Sequence, residues 1–340
     1  MDEAVAAVPR CCAEAKALKS IRRRIAGGGV DAGTMSRISR RIHLIEQALT
    51  APIAESDVLS PTSAASAKLS PAWTASMIEE LDCMERFGVW KLVPPPPGAN
   101  IIDCKWVFRT KFDKRGLPSR LKSRLTAKGF TQRKGVDYLE TWAPTCRHRS
   151  FRMMLAEAST IPAERLVTSA WDTTAAFLHA KMDHVAYMRQ PPGFEDPAHP
   201  DDVCLLYKSI YGLKSSSRLF YLMLRDRLVG PEINARQSET DNCVFVIRGP
   251  GDQFMKLALW VDDIAVVSNS RELYDSVFAE LIKHFAFRAE PLEHFLGFVI
   301  DRRADGSFTL SQWPYVKELT HYQRRNHQKR RVPATSFASP

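Results

Sequence analysis

No apolar run in this chain approaches the roughly 20 residues that a membrane-spanning helix needs. The amino terminus, Met1-Asp2-Glu3, is acidic, and no signal-peptide core follows it. Cysteine is sparse and unordered: seven residues, Cys11, Cys12, Cys83, Cys104, Cys146, Cys204 and Cys243, with no CxxC pair. An odd, scattered set argues against a disulfide framework or a zinc site and predicts reduced thiols in an intracellular protein. No internal repeat is visible. Acidic residues are scarce in one stretch: Ile101 to Arg152 holds 14 Lys/Arg against 4 Asp/Glu, a net of +10. The whole chain of 340 residues also sums to +10, so the remainder is neutral. Such a concentrated basic segment favours a polyanionic partner.

What is present divides unevenly. Apolar content of 45% supports an ordinary core, and the length suggests about two domains. Ile38, Ile42, Ile45 and Leu49 recur at helical spacing near the amino terminus. From Ala51 to Pro71, 13 of 21 residues are Ala, Ser or Pro, which reads as a linker. Residues 1–70 are therefore expected to be a poorly ordered extension with one helix. Ser70 before Pro71 predicts a helix cap, and the helix should run to about Phe87. Further helices are expected over about Ser217–Leu228 and Glu272–Phe285, with a last hairpin turning at Asp305-Gly306. Helices alternating with hairpins give an α+β fold.

A basic hairpin is predicted from Trp106 to Phe112 and from Arg120 to Thr126, turning over Asp113–Gly116. Lys105, Arg109 and Lys111 share one face of the first strand, and Arg120, Lys122 and Arg124 share one face of the second. Such alternation ordinarily marks a solvated outer face. Here all the charges have one sign, and like charges opposed across strands destabilise a sheet. An anionic ligand would relieve them.

Asp262 and Asp263 sit between the apolar runs Leu257–Val261 and Ile264–Val267. That is a strand, a two-residue tip of Asp-Asp, and a returning strand. The tip could project into water as an ordinary turn. Asp172, between a strand at Val167–Trp171 and a helix-like run, could be a helix N-cap bonding the amides of Thr174 and Ala175. Taken together, three carboxylates could instead converge on a two-metal site for phosphoryl transfer, with magnesium suited to few carboxylates and substrate phosphates.

From about Pro71 onward the chain resembles the reverse transcriptase of copia-type LTR retrotransposons. Trp90-Lys91-Leu92-Val93 precedes Lys105-Trp106-Val107-Phe108, and Arg124 to Gln132 resembles the family's RLVAKGFTQ. Gly135-Val136-Asp137-Tyr138, Thr141-Trp142-Ala143-Pro144 and Ala175-Ala176-Phe177-Leu178 resemble GVDY, TFAP and TAFL. The runs Tyr187–Phe194 and Lys208–Lys214 follow, then Val261-Asp262-Asp263 for YVDD, Phe295-Leu296-Gly297 and Ser311-Gln312. The blocks keep their order over some 270 residues.

The resemblance implies a right-hand polymerase fold. Fingers would span 71–165 and the palm, with an antiparallel sheet, 166–300, with a fingers insertion around 185–240. The start of an incomplete thumb would span 301–340. It implies Asp172, Asp262 and Asp263 as catalytic, metal-holding carboxylates for two Mg2+ ions, or Mn2+. Asp172 and Asp262 would bridge them. Arg124 would meet the incoming triphosphate beside Lys122, Phe177 would be a steric gate under the sugar, and Tyr211, Gly212 and Lys214 would line the nucleotide site. Trp260, Leu296 and Gly297 would lie near the primer. The implied partners are an RNA template, a DNA primer and dNTPs, in the cytoplasm (a retrotransposon particle) or the nucleus, without a membrane. Departures stand beside the matches: Trp260 replaces the Tyr of YVDD, Lys214-Ser215-Ser216-Ser217-Arg218 lacks the family's Gln and Pro, His179-Ala180 replaces Asn-Gly, and Thr126 replaces Val. No ribonuclease H, integrase or protease segment is recognised. The alternative is a catalytically inactive nucleic-acid-binding remnant.

Overall fold

The structure is a computed structural model and describes residues 59–320 except 114, 314 and 318. The helix expected at Ile38–Leu49 lies outside the described residues. The chain is α+β and divides into two compact units. One runs through Thr141 and adds Ala180–Ser216; the other joins Trp142–His179 to Ser217 onward. The expected boundary at 165/166 and the insertion at 185–240 differ from these divisions. The reason is packing: the helix His148–Ala158 lies on the strands Phe254–Trp260 and Asp263–Ser268, and the Cys146 N–H donates to the Leu259 carbonyl.

In the first unit, the predicted linker contains a short helix, Ala64–Lys68, closed by a capping box from Ser63 and Ser66. The next helix is the expected Pro71–Phe87. The Ser70 hydroxyl accepts from the Trp73 N–H, Pro71 opens the first turn, and Gly88 ends the helix at φ 61, a left-handed conformation that glycine adopts without strain. Trp73 is buried and stands edge-on to Phe108, centroids 5.3 Å apart. The basic hairpin pairs Cys104–Phe112 with Pro118–Ala127. Its turn is built by Asp113, whose Oδ1 accepts from the Arg115 and Leu117 amides. A four-stranded sheet, in the order Trp90–Val93, Val203–Leu206, Tyr187–Met188, Ile101–Ile102, completes this unit.

The second unit is built on a six-stranded sheet. Its order is Phe287–Glu290, Val167–Thr173, Asp263–Ser268, Phe254–Trp260, Val244–Arg248, Arg236–Gln237, with antiparallel pairing throughout. Ile264, Ala265, Val266 and Val267 are all buried, so this strand is covered on both faces and reads as a continuous apolar run. Trp171 anchors the layer beneath the helix Arg271–Leu281. Its Nε1 donates to the Tyr274 hydroxyl at 2.9 Å, and its ring meets Phe278 and Phe287. A three-stranded sheet follows, with the expected last hairpin pairing Phe298–Arg302 with Phe308–Ser311. Among the described residues, no helix is long and apolar enough to cross a membrane.

Candidate active site

The aspartate hairpin is real, but its tip lies one residue earlier than expected. Trp260 pairs with Asp263, so the turn residues are Val261-Asp262. Asp263 is the first residue of the returning strand because that strand also pairs on its other side, where Asp263 faces Asp172. Sheet pairing on both sides outweighs the turn preference of aspartate. Val261 takes φ 56, which a two-residue hairpin turn requires at its first position. A β-branched residue is strained there, by about 1–3 kcal/mol, and such strain concentrates at functional sites.

Asp172 is not a helix cap. It sits inside the strand Val167–Thr173, exposed, between Asp263 on one neighbouring strand and Arg288 on the other. The next residue, Thr173, fixes the tip: its N–H and its hydroxyl both donate to the Asp262 carbonyl at 3.3 Å. Thus one short segment, Asp172-Thr173, touches both aspartates of the hairpin through the sheet. Sequence reasoning missed Thr173 and Arg288. Neither belongs to a motif; only the strand register brings them to the carboxylates.

Negative charge accumulates at this end of the sheet. Burial of its carboxyl, then the charges of Asp262 and Asp172, push Asp263 up to about 6, although the residue as a whole still meets solvent. Among the described residues, no three His, Cys, Asp or Glu side chains are gathered closely enough to hold an ion. Mutual repulsion favours such spreading. The donor set still suits a hard divalent cation: three carboxylates and no thiolate or imidazole. Burial leads the rise at Asp263, and the repulsion from Asp262 and Asp172 that adds to it is what such a cation would relieve, so the chemistry of these residues, though not their present spacing, fits magnesium.

Trp260 is half-buried directly across from Asp263. Phe177 follows the strand in the helix Ala176–His179; it is buried, with its ring edge-on to Phe220 at 6.4 Å. Leu296 and Gly297, at φ 52 and 75, form the turn between the paired Phe295 and Phe298. Positive φ at both central residues is the type I′ geometry of tight hairpins.

The remaining predicted residues lie in the other unit, where they do gather. The hairpin register sets Arg109 opposite Lys122 and Lys111 opposite Arg120, so the cationic plate forms as expected. Burial, then repulsion from Arg124, Lys111 and Arg120, lowers the pKa of Lys122. The Arg124 guanidinium stacks over the Tyr211 ring at 4.8 Å. The Tyr211 carbonyl accepts from the Ala127 N–H at 2.8 Å. Gly212, at φ 89, lies so close to this strand that a Cβ would stand 2.1 Å from the Ala127 carbonyl oxygen. Gly129 approaches the Gly212 carbonyl equally closely. Lys214 donates its N–H to Gln132 Oε1 at 2.7 Å, and its ammonium reaches the Gln132 carbonyl and the Tyr138 hydroxyl, both at 3.3 Å. Lys122, Arg124, Tyr211, Gly212 and Lys214 therefore share one neighbourhood, fixed by backbone contact.

The sequence pattern described as reverse transcriptase (RNA-dependent DNA polymerase) matches residues 87–333. The retrovirus-related Pol polyprotein from transposon RE2 of Arabidopsis thaliana is 36% identical over 266 residues, which is 76% of this chain and 17% of that polyprotein. The Pol polyprotein from transposon TNT 1-94 of Nicotiana tabacum is 34% identical over 72% of this chain and 18% of its own length. The chain thus spans under a fifth of these relatives. Among solved structures, a foamy viral protease-reverse transcriptase in complex with double-stranded DNA aligns with 71% of this chain and 36% of its own, at TM-score 0.40 and 15% identity. With the ordered motifs matched along most of its length, the chain belongs to the reverse transcriptase (RNA-dependent DNA polymerase) family, as the resemblance to copia-type retrotransposons implied.

Proposed function

We propose that this chain is the RNA-directed DNA polymerase domain of a retrotransposon polyprotein, extending a DNA primer on an RNA template. The observation that carries the reading is the register of Asp263 against Asp172, with Asp262 tied to the same strand through Thr173. Three carboxylates at one end of the sheet support it.

Asp172, Asp262 and Asp263 would hold two magnesium ions (manganese could replace them). When bound, these supply Lewis acidity toward the reacting hydroxyl and the triphosphate. In the reaction, the primer 3′-hydroxyl oxygen forms a bond to the dNTP α-phosphorus, its proton passes to solvent, and the bond to pyrophosphate breaks. Asp172 and Asp262 orient the reacting groups, while Asp263 supports them. Within the first unit, Arg124 and Lys122 would bind phosphate oxygens. Arg124 is already stacked on Tyr211, which fixes its guanidinium before a ligand arrives. Phe177 closes the sugar side, and Trp260, Leu296 and Gly297 contact the primer. In fold terms, the basic hairpin is assigned to fingers and the aspartate sheet to palm.

Primer extension tests this reading. Purified protein with a primed RNA template, dNTPs and magnesium should lengthen the primer, and Asp262→Asn should cut the rate about a thousandfold. Extension at a near-wild-type rate after this substitution overturns the carboxylate assignment. A second reading, a nucleic-acid-binding relative that does not polymerise, draws on the spread of the three carboxylates. It predicts salt-sensitive binding with no magnesium-dependent synthesis.

A further inference from the structure

The helix Pro71–Phe87 closes the outer edge of the basic hairpin with its side chains. Ser76 Oγ accepts from the Ser123 N–H at 2.8 Å and donates to the Leu121 carbonyl at 3.2 Å. One turn later, the Glu80 carboxylate accepts from the Leu125 N–H. Helical residues four apart share a face. A helical turn of about 5.4 Å nearly matches two strand residues, about 6.8 Å. Ser76 and Glu80 therefore reach alternate amides of an edge that would otherwise be open.

Edge closure needs only a neutral acceptor, as Ser76 shows. Glu80 is a carboxylate, and its second oxygen, Oε1, is sealed from solvent with no hydrogen-bond partner. A buried, unsatisfied oxygen of this kind calls for a physical reason. The reason lies on the strand. Lys122 and Arg124 are the cations whose fields act on Glu80, and Glu80 is the acid that opposes the crowding of Lys122 by Arg124, Lys111 and Arg120. Its helix neighbour Glu79 is already paired with Arg120.

We infer that Glu80 is a proton-linked counter-charge for the Lys122–Arg124 anion site: ionised, it offsets these cations, and neutral, it leaves their charge to a phosphate ligand. Anion binding would then draw a proton onto Glu80. This rests on the reading that Lys122 and Arg124 bind phosphate. The groups facing Glu80 are Lys122 and Arg124 from the strand, and Glu79 and Cys83 from its own helix. Burial outweighs the pull of Lys122, the Leu125 amide and Arg124, and pushes Glu80 up to about 7. The proton therefore moves near neutral pH. Because linkage is reciprocal, the anion must bind more weakly once Glu80 is ionised.

The probe is trimetaphosphate in magnesium-free buffer, fully ionised throughout the range used, titrated calorimetrically into the full chain. Wild type should bind about fivefold more weakly at pH 8 than at pH 6, in line with ordinary coupling between sites. Glu80→Gln keeps an acceptor for the Leu125 N–H and should bind alike at both values. Repeating the wild-type titration at pH 7 in buffers of different ionisation enthalpy should reveal proton uptake, which this variant lacks. A pH-independent wild-type affinity, or proton uptake unchanged in Glu80→Gln, overturns the inference. Should that variant not fold, the wild-type proton count decides alone. The double variant Lys122→Ala/Arg124→Ala separates the two ideas. If it binds trimetaphosphate normally, the anion-site reading itself falls. If it loses binding while wild type takes up no proton, only the role of Glu80 falls.

Discussion

Asp263 stands directly opposite Asp172 across two antiparallel strands. Like charges in that relationship destabilise a sheet, and here Asp262 adds a third from the turn. The arrangement stores electrostatic repulsion at one end of the second unit, and its consequences are measurable.

The first consequence is a pH-dependent stability. Burial, Asp262 and Asp172 raise Asp263 from 3.8 to about 6. Between those values the folded chain holds a proton that the unfolded chain has released, so this contribution to stability falls as pH rises through that window. Asp263→Asn should therefore melt higher than wild type at pH 7.5, with the difference shrinking by pH 4. Equal melting temperatures at pH 7.5 would count against the repulsion. Magnesium should raise the wild-type melting temperature at pH 7.5 more than that of this variant.

The catalytic prediction concerns Asp172 and Asp262. Asp172→Asn or Asp262→Asn should lower primer extension by about a thousandfold, as expected when about 4 kcal/mol of transition-state charge stabilisation is lost. The melting temperature should not fall. A loss of activity that tracks a loss of folded protein would point to structure rather than chemistry.

Phe177→Ala should increase the ratio of ribonucleotide to deoxyribonucleotide incorporation. Phe177 is buried against Phe220, so the same change should cost about 3–5 kcal/mol of stability. The incorporation ratio is independent of the active fraction, so it isolates the sugar effect. An unchanged ratio removes Phe177 from the sugar side.

At the hairpin tip, Val261→Gly should stabilise the fold by about 1 kcal/mol, because glycine relieves a positive φ that valine endures. Chemical denaturation would read it out. A loss of more than about 1 kcal/mol would show that Val261 packing outweighs its strain.

Gly212→Ala should have the opposite sign. Its Cβ would enter the Ala127 carbonyl, whose oxygen belongs to backbone that cannot step aside. A loss of about 3 kcal/mol or more is expected, in the range of severe overpacking, and phosphate binding near Arg124 and Tyr211 should weaken with it. Wild-type melting behaviour in Gly212→Ala would show that the two segments do not approach so closely.

Much of this was legible in the sequence because its signals are local. Ser70-Pro71 announces a helix start, and that helix ends at Gly88. Single-sign alternation over Lys105–Lys111 and Arg120–Arg124 predicts a cationic face, and the pairing of Arg109 with Lys122 delivers it. The aspartate hairpin was also visible from its apolar flanks. Its tip was misplaced by one residue because flanking hydrophobicity cannot say where pairing stops. Asp172 was ambiguous for the same reason: a cap and a strand residue look alike until the neighbouring strands are known.

By itself, then, the sequence determined the element types, the concentration of positive charge, the three carboxylates and the family. Each of these is set by residues close together in the chain or by ordered blocks. Only the tertiary structure decided which residues stand opposite one another. It put Asp263 against Asp172, Arg288 on the other side of Asp172, Thr173 on the Asp262 carbonyl, and Glu80 on the Leu125 amide within the fields of Lys122 and Arg124. Register and packing join residues separated by dozens of positions, and a strand's alternation fixes which face a side chain takes but not which neighbour it meets.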